Sequence, residues 1–196
     1  MKFAGVRRRE VKACPRFLRR SCEVRFRMSG PMASLIASWG DGSASRWSDQ
    51  KNWIRKGEMS STYLLDTNAC IRILNNSSRA LVSRLESTKP SKLRLCSVVK
   101  SELIYGAHKS RRAADNLRLL HGFFEPFVSL PFDDECSKKY GSIRQQLERM
   151  GKPIGPYDLM IAATAVANDL TLVTHNADEF SRVVGLQWED WEDEHV

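Results

Sequence analysis

The sequence predicts an α/β domain on a mainly parallel sheet of four or five strands. Three observations carry that prediction. Short β-prone apolar runs alternate with longer segments whose apolar residues recur at helical spacing. Breaks rich in Asn, Ser, Gly and Pro separate them, as at 75–78 and 151–156. One helical segment, 157–168, is so apolar that it must be covered on all sides.

The elements follow in order. Residues 62–65 form a buried strand, and Thr67 and Asn68 offer caps for a short helix through Leu74. In 79–87, Leu81, Val82 and Leu85 sit at helical spacing, and Pro90 stops the run. Residues 93–96 are a second strand, with Ser97 as cap of a helix reaching Gly106. A helix near 111–120 precedes a third strand at 127–130. Residues 133–150 are a long amphipathic helix with Tyr140, Ile143, Leu147 and Met150 on one face. The apolar helix leads to a fourth strand at 171–173, a short helix from Ala177, and an edge strand at 186–188.

Of the 196 residues, the first 58 have a different character. The net charge is +8; residues 1–58 hold 14 Lys/Arg against 5 Asp/Glu (+9), leaving 17 against 18 (−1) for 59–196. The basic segment is open to two functional readings, an arm on nucleic-acid phosphates and a targeting presequence. The third reading, adopted here, is a disordered extension ahead of the domain, with Met59 as the true start; Trp39, Trp47 and Trp53 argue against it. Five scattered cysteines without a Cys-x-x-Cys pair exclude a disulfide framework and a zinc ribbon, and fit a cytoplasmic protein. Cys70 and Cys96 read as small core residues. No apolar run approaches the roughly 20 residues of a membrane span.

Acidic residues carry the functional signal. Strand order sends those after the first, second and fourth strands to one edge of the sheet, where open α/β folds place their sites. Asp66 ends the first strand; a helix cap explains it equally well. Glu102 has Val98, Val99, Tyr105 and Gly106 at i±3 and i±4, so no ion pair on its own helix is open to it. Asp158 stands in the first turn behind Pro156, where the helix dipole favours a carboxylate. Asn176-Ala177-Asp178-Glu179 fits a capping box, with Arg182 within pairing distance of both acids. Carboxylates crowded together repel and raise one another's pKa, so a cluster calls for a cation. Oxygen ligands suit Mg²⁺ or Mn²⁺, which activates water and neutralises a phosphoryl oxygen. Phosphodiester hydrolysis follows. A nucleotide-binding Gly-x-x-x-x-Gly-Lys loop and a Gly-x-Ser-x-Gly elbow are both absent. His175 lies near the acids as a lone histidine.

Leu64-Leu65-Asp66-Thr67-Asn68-Ala69-Cys70, Ser101-Glu102-Leu103-Ile104-Tyr105-Gly106, Gly155-Pro156-Tyr157-Asp158-Leu159-Met160-Ile161-Ala162-Ala163 and Thr174-His175-Asn176-Ala177-Asp178-Glu179-Phe180 resemble, in order and spacing, the motifs of PIN-domain ribonucleases. The nearest likeness is to VapC-type toxins of toxin–antitoxin pairs, from about Thr62 to Trp191. The resemblance implies an α/β/α sandwich with a PIN-like nuclease domain over 59–196. It implies a Mg²⁺-dependent endoribonuclease, with Mn²⁺ as substitute, usually a homodimer. Its substrates would be structured RNAs such as tRNA, and its inhibitor a small antitoxin. By motif, Asp66 and Asp158 would be the metal ligands, Glu102 and Glu179 the remaining catalytic acids, and Thr67, Asn68, Thr174 and Asn176 polar support. Asp178 is the alternative fourth acid. Lys109-Ser110-Arg111-Arg112 and Lys138-Lys139 are candidate RNA patches, or ordinary solvated faces. Two competing readings remain open: a non-catalytic RNA-binding or assembly module of the same fold, and a metal-dependent phosphatase. The second lacks Asp-x-Asp, since Asn68 stands at its last position.

Overall fold

In the computed structural model, residues 61–192 are described. The expectations for residues 1–58 and for a start at Met59 lie outside them. Five strands, β1 (Tyr63–Leu65), β2 (Leu93–Cys96), β3 (Val128–Leu130), β4 (Thr171–Val173) and β5 (Gln187–Glu189), form one sheet in the order β3-β2-β1-β4-β5. Every pairing is parallel, including that of the edge strand β5 with β4. The connections are α1 (Thr67–Leu74), α2 (Arg79–Ser87), α3 (Ser97–Lys109), α4 (Ala113–Phe124), α5 (Asp134–Arg149), α6 (Pro156–Ala167) and α7 (Ala177–Phe180).

This order reverses direction between β1 and β4. Chain leaving β1 crosses to β2, whereas β4 lies on its other side, so a crevice opens beyond their carboxyl ends. Register fixes what lines it. Leu65 pairs with Val173, and Asp66 N–H extends the ladder to the Val173 carbonyl at 3.0 Å. Thr174 N–H reaches the Glu189 carbonyl at 3.0 Å in the same way. Asp66, Thr174 and Asp190 therefore stand side by side at one sheet edge.

Leu64, Leu65, Leu95, Leu172 and Val173 fill the sheet's share of a single core, joined by Ile73, Leu103, Phe123 and Leu147 from the helices and Phe127 from the turn before β3. Removing one of these leucine side chains would cost about 2–5 kcal/mol. The apolar α6 buries Leu159, Ile161, Ala162, Ala163 and Ala165, and its small residues allow close packing on α5. Among the described residues no helix is long and apolar enough to cross a membrane.

Helix starts differ from the sequence reading by one position. Helix α1 begins at Thr67, and its cap is Asp66, whose Oδ1 accepts from Thr67 N–H at 2.6 Å. Helix α3 begins at Ser97 with Cys96 at the cap position. The Ser97 hydroxyl instead accepts from Phe132 N–H at 3.2 Å, tying α3 to the segment after β3. Apolar packing extends α3 to Lys109 and moves α4 to 113–124. The capping box at 176–179 does not form: Asn176 occupies the cap position without a side-chain bond.

Candidate active site

Asp66 is 1 % exposed. Its Oδ1 is held by Thr67 N–H and its Oδ2 by the Thr174 hydroxyl at 2.9 Å. Thr174 Oγ1 also accepts from Asn176 N–H at 3.0 Å, which directs its proton at Asp66. Burial pushes the Asp66 carboxyl up to about 6; its donors oppose the rise, and the charge on Glu102 adds to it.

Glu102 enters from α3. Its Oε2 accepts from the Thr67 hydroxyl at 2.6 Å, so one threonine serves two acids, by its backbone and by its side chain. Burial raises the Glu102 pKa, and the Thr67 bond lowers it.

Asp158 sits in the first turn of α6 and is 7 % exposed. Its side chain folds back over Gly155, where an added Cβ would lie 2.7 Å from Asp158 Oδ2. Gly155 has an ordinary backbone (φ −58°), so space is what demands glycine there. Its carboxyl is pushed up to about 8, first by burial, then by the charges of Asp66, Glu179 and Glu102, and by a hydrogen bond shared with Glu179.

Glu179 is half-buried in the first turn of α7, and its Oε2 is buried without a hydrogen-bond partner. Asp178, its neighbour, is exposed and is not among the charges acting on Asp158. Arg182 pairs with neither. The failed capping box and the missing ion pair free Glu179 to face Asp158.

The structure thus brings Asp66, Glu102, Asp158 and Glu179 into one electrostatic unit and leaves Asp178 outside. Thr67 and Thr174 support it through hydroxyls. Asn176 contributes through its backbone N–H, and so does Asn68, whose side chain is exposed. Among the described residues, no lysine, arginine or histidine forms an ion pair with any of the four acids.

Their spacing is looser than the tight cluster expected from the sequence. The one His/Cys/Asp/Glu set among the described residues with ligand atoms all within 4.8 Å is His175, Asp190 and Glu192, which sequence spacing did not join. Mg²⁺ needs only one or two carboxylates and keeps several waters, so the looser set still suits it. The orphaned Glu179 Oε2, the raised Asp66 and Asp158 carboxyls and the all-oxygen donors fit a hard divalent cation between Asp66 and Asp158.

Other chemistry is poorly served. Cys70 and Cys96 are fully buried; burial pushes the Cys70 thiol well up and that of Cys96 to about 11, so neither is a ready thiolate. Of the basic patches, Arg112 and Lys138 are engaged by Asp115 and Glu135. Lys109 lies over the Tyr105 ring, seven residues and about 10 Å along α3 from Glu102. Lys138 and Lys139 lie in the second turn of α5, which starts at the same sheet edge as the acids.

The chain is similar to known proteins over most of the described residues. The PIN domain family profile matches residues 63–186. The tRNA(fMet)-specific endonuclease VapC of Shigella flexneri is 40 % identical over 129 residues, 66 % of this chain and 97 % of that protein. Ribonuclease VapC2 of Rickettsia felis is 37 % identical over 131 residues, 66 % of this chain and 98 % of that one. Among solved structures, DNA-bound VapBC from Salmonella typhimurium superposes with a TM-score of 0.64 at 38 % identity, covering 67 % of this chain and 99 % of that chain. VapBC2 from Rickettsia felis, bound to a DNA fragment from its promoter, gives 0.62 at 35 % identity, over 66 % and 98 %.

Proposed function

The chain belongs to the PIN domain family, alongside the VapC ribonucleases, and from that premise we propose that it is a Mg²⁺-dependent endoribonuclease, the toxin of a toxin–antitoxin pair. One observation carries the reading most. Four acids from four separate segments meet at the β1/β4 crevice, two with strongly raised carboxyls, and none has a cationic partner among the described residues. Such an arrangement costs stability unless a cation relieves it.

In this reading Asp66 and Asp158 hold the metal, and Mn²⁺ can replace Mg²⁺. The bound cation would lower the pKa of water and offset charge on the phosphoryl oxygens. Thr67 and Thr174 fix the carboxylate orientations, as ligand-supporting hydrogen bonds do in metal sites. Glu102 and Glu179 complete the field. The sealed floor beneath Asp66, made by Leu65, Cys70 and Cys96, keeps bulk water out from below.

The relatives named for tRNA(fMet) cleavage make structured tRNA of the initiator type the first substrate to test. The VapBC complexes support a small antitoxin as partner. A cytoplasmic homodimer completes the proposal, with residues 59–196 as its nuclease domain. The relatives correspond almost whole to the matched 129 residues, which supports that boundary. Incubating the purified full chain with end-labelled initiator tRNA transcript and Mg²⁺ tests the activity. Discrete internal cuts are expected, lost with EDTA and in Asp66→Asn. Intact RNA, or equal cutting by Asp66→Asn, would refute it.

A further inference from the structure

Beyond the four acids, the same sheet edge carries a second ordered group. His175 follows Thr174, the residue that holds Asp66. Its Nδ1 lies 2.7 Å from Asp190 Oδ2, just past β5. Asp190 is anchored in turn, its Oδ1 accepting from Glu192 N–H at 2.9 Å. Glu192 Oε2 meets Arg72 of α1 at 2.5 Å. The His175 side chain is 49 % exposed, while that of Asp190 is 10 % exposed. The result is a solvent-facing imidazole on a buried carboxylate, with its second nitrogen unclaimed by protein among the described residues.

We propose that His175, its ring fixed by Asp190, binds a backbone phosphate of the RNA next to the one being cut. This rests on the endoribonuclease reading above. Position supports it. Strands β1, β4 and β5 are consecutive, and neighbouring strands stand about 4.8 Å apart, so His175 flanks the acidic crevice on its β5 side. Charge supports it as well. A polyanion approaching four unpaired carboxylates needs a cationic contact close by, and Arg72, the nearby guanidinium, is already committed to Glu192. Chemistry then selects the ligand. With Nδ1–H donating to Asp190, Nε2 can donate only from the doubly protonated ring, whose natural second partner is an anion. The charged groups facing the imidazole are Asp190 and Glu192 from the segment after β5, with Arg72 of α1 behind Glu192.

His175, Asp190 and Glu192 are also close enough to share a metal ion. Each, however, already has a partner in this network, and Arg72 neutralises Glu192. An orienting chain accounts for the same contacts without a cation.

Filter binding of labelled initiator tRNA transcript at fixed Mg²⁺ and varied KCl tests the proposal. Asp158→Asn serves as the background, so that cleavage does not interfere. Adding His175→Ala should weaken binding about tenfold, the scale of one charge-assisted hydrogen bond. It should also flatten the dependence of log K on log[salt] by about 0.7, the value for one contact to a single strand. His175→Arg should restore both, since a guanidinium supplies the same cationic donor. Asp190→Asn should fall between. A melting temperature matching the background separates these effects from unfolding. Equal affinity and equal salt slope for the alanine variant would overturn this proposal alone. If the unmutated chain neither binds nor cuts the RNA, the endoribonuclease reading falls and takes this one with it.

Discussion

The acids on the outer helices and the acids in the β1/β4 crevice are the same residue types under opposite treatment. On α4, Asp115 lies between Arg112 and Arg118. On α5, Glu135 meets Lys138 and Glu148 meets Arg144. Each pair is exposed, local and one helical turn apart. In the crevice, Asp66, Glu102, Asp158 and Glu179 are buried or half-buried and come from four segments; Asp66 and Glu102 have threonine hydroxyls and a backbone amide where the outer acids have arginine and lysine, and Glu179 Oε2 has no hydrogen-bond partner. Among the described residues these four have no ion-pair partner, and burial makes that expensive. On the proposed reading, the difference marks where a ligand, rather than a side chain, supplies the positive charge.

The largest way to break the comparison is to remove one acid of each kind. Asp66→Asn or Asp158→Asn should cut RNA cleavage by on the order of a thousandfold, the scale of a lost transition-state stabiliser. Asp115→Asn should leave the cleavage rate within about twofold and the melting temperature within about 2 °C, as exposed pairs contribute little. Single-turnover rates and thermal melts decide it.

Proton linkage gives a second test. The Asp66 and Asp158 carboxyls are raised to about 6 and about 8 from 3.8. The native protein therefore binds more protons than the unfolded chain between about pH 4 and pH 8, and metal-free stability must fall as pH rises through that window. Mg²⁺ competes with those protons, so its gain in melting temperature should be larger at pH 8 than at pH 5. Asp158→Asn should remove the upper part of the decline. A metal-free melting temperature that climbs from pH 5 to pH 8 would count against a shared acidic site.

Smaller changes probe the supports. Gly155→Ala drives a methyl against Asp158 Oδ2, and the flexible carboxylate is what gives way. Stability should change little, while kcat falls about 10- to 100-fold through misplacement. Thr174→Val removes the hydroxyl from Asp66 and should raise the Mg²⁺ needed for half-maximal activity about tenfold. Unchanged Mg²⁺ dependence would reduce Thr174 to a packing residue.

Much of this was legible in the sequence because it depends on local pattern. Glu102 stood out through the lack of a basic neighbour one turn away, and the element order fixed which acids reach the same sheet edge. Ser97 was misread as a cap by one residue, and the cap of α1 stayed open among Asp66, Thr67 and Asn68, because all carry cap-forming side chains. Local pattern alone did not separate Asp178 from Glu179, because a capping box and a site acid share one pattern; only the motif resemblance favoured Glu179. Long-range partners left no trace. Thr67 and Glu102 are 35 residues apart, Asp66 and Thr174 108, and Arg72 and Glu192 120. Gly155 carried a turn signature but nothing to disclose the carboxylate above it.

Calorimetric titration of Mn²⁺ into the metal-free full chain tests the shared acidic site most directly. Saturable binding is expected in the unmutated chain and in Asp115→Asn, and its loss in Asp66→Asn and in Asp158→Asn. Mn²⁺ binding that survives in both crevice variants, or that is absent from the unmutated chain, would contradict the account.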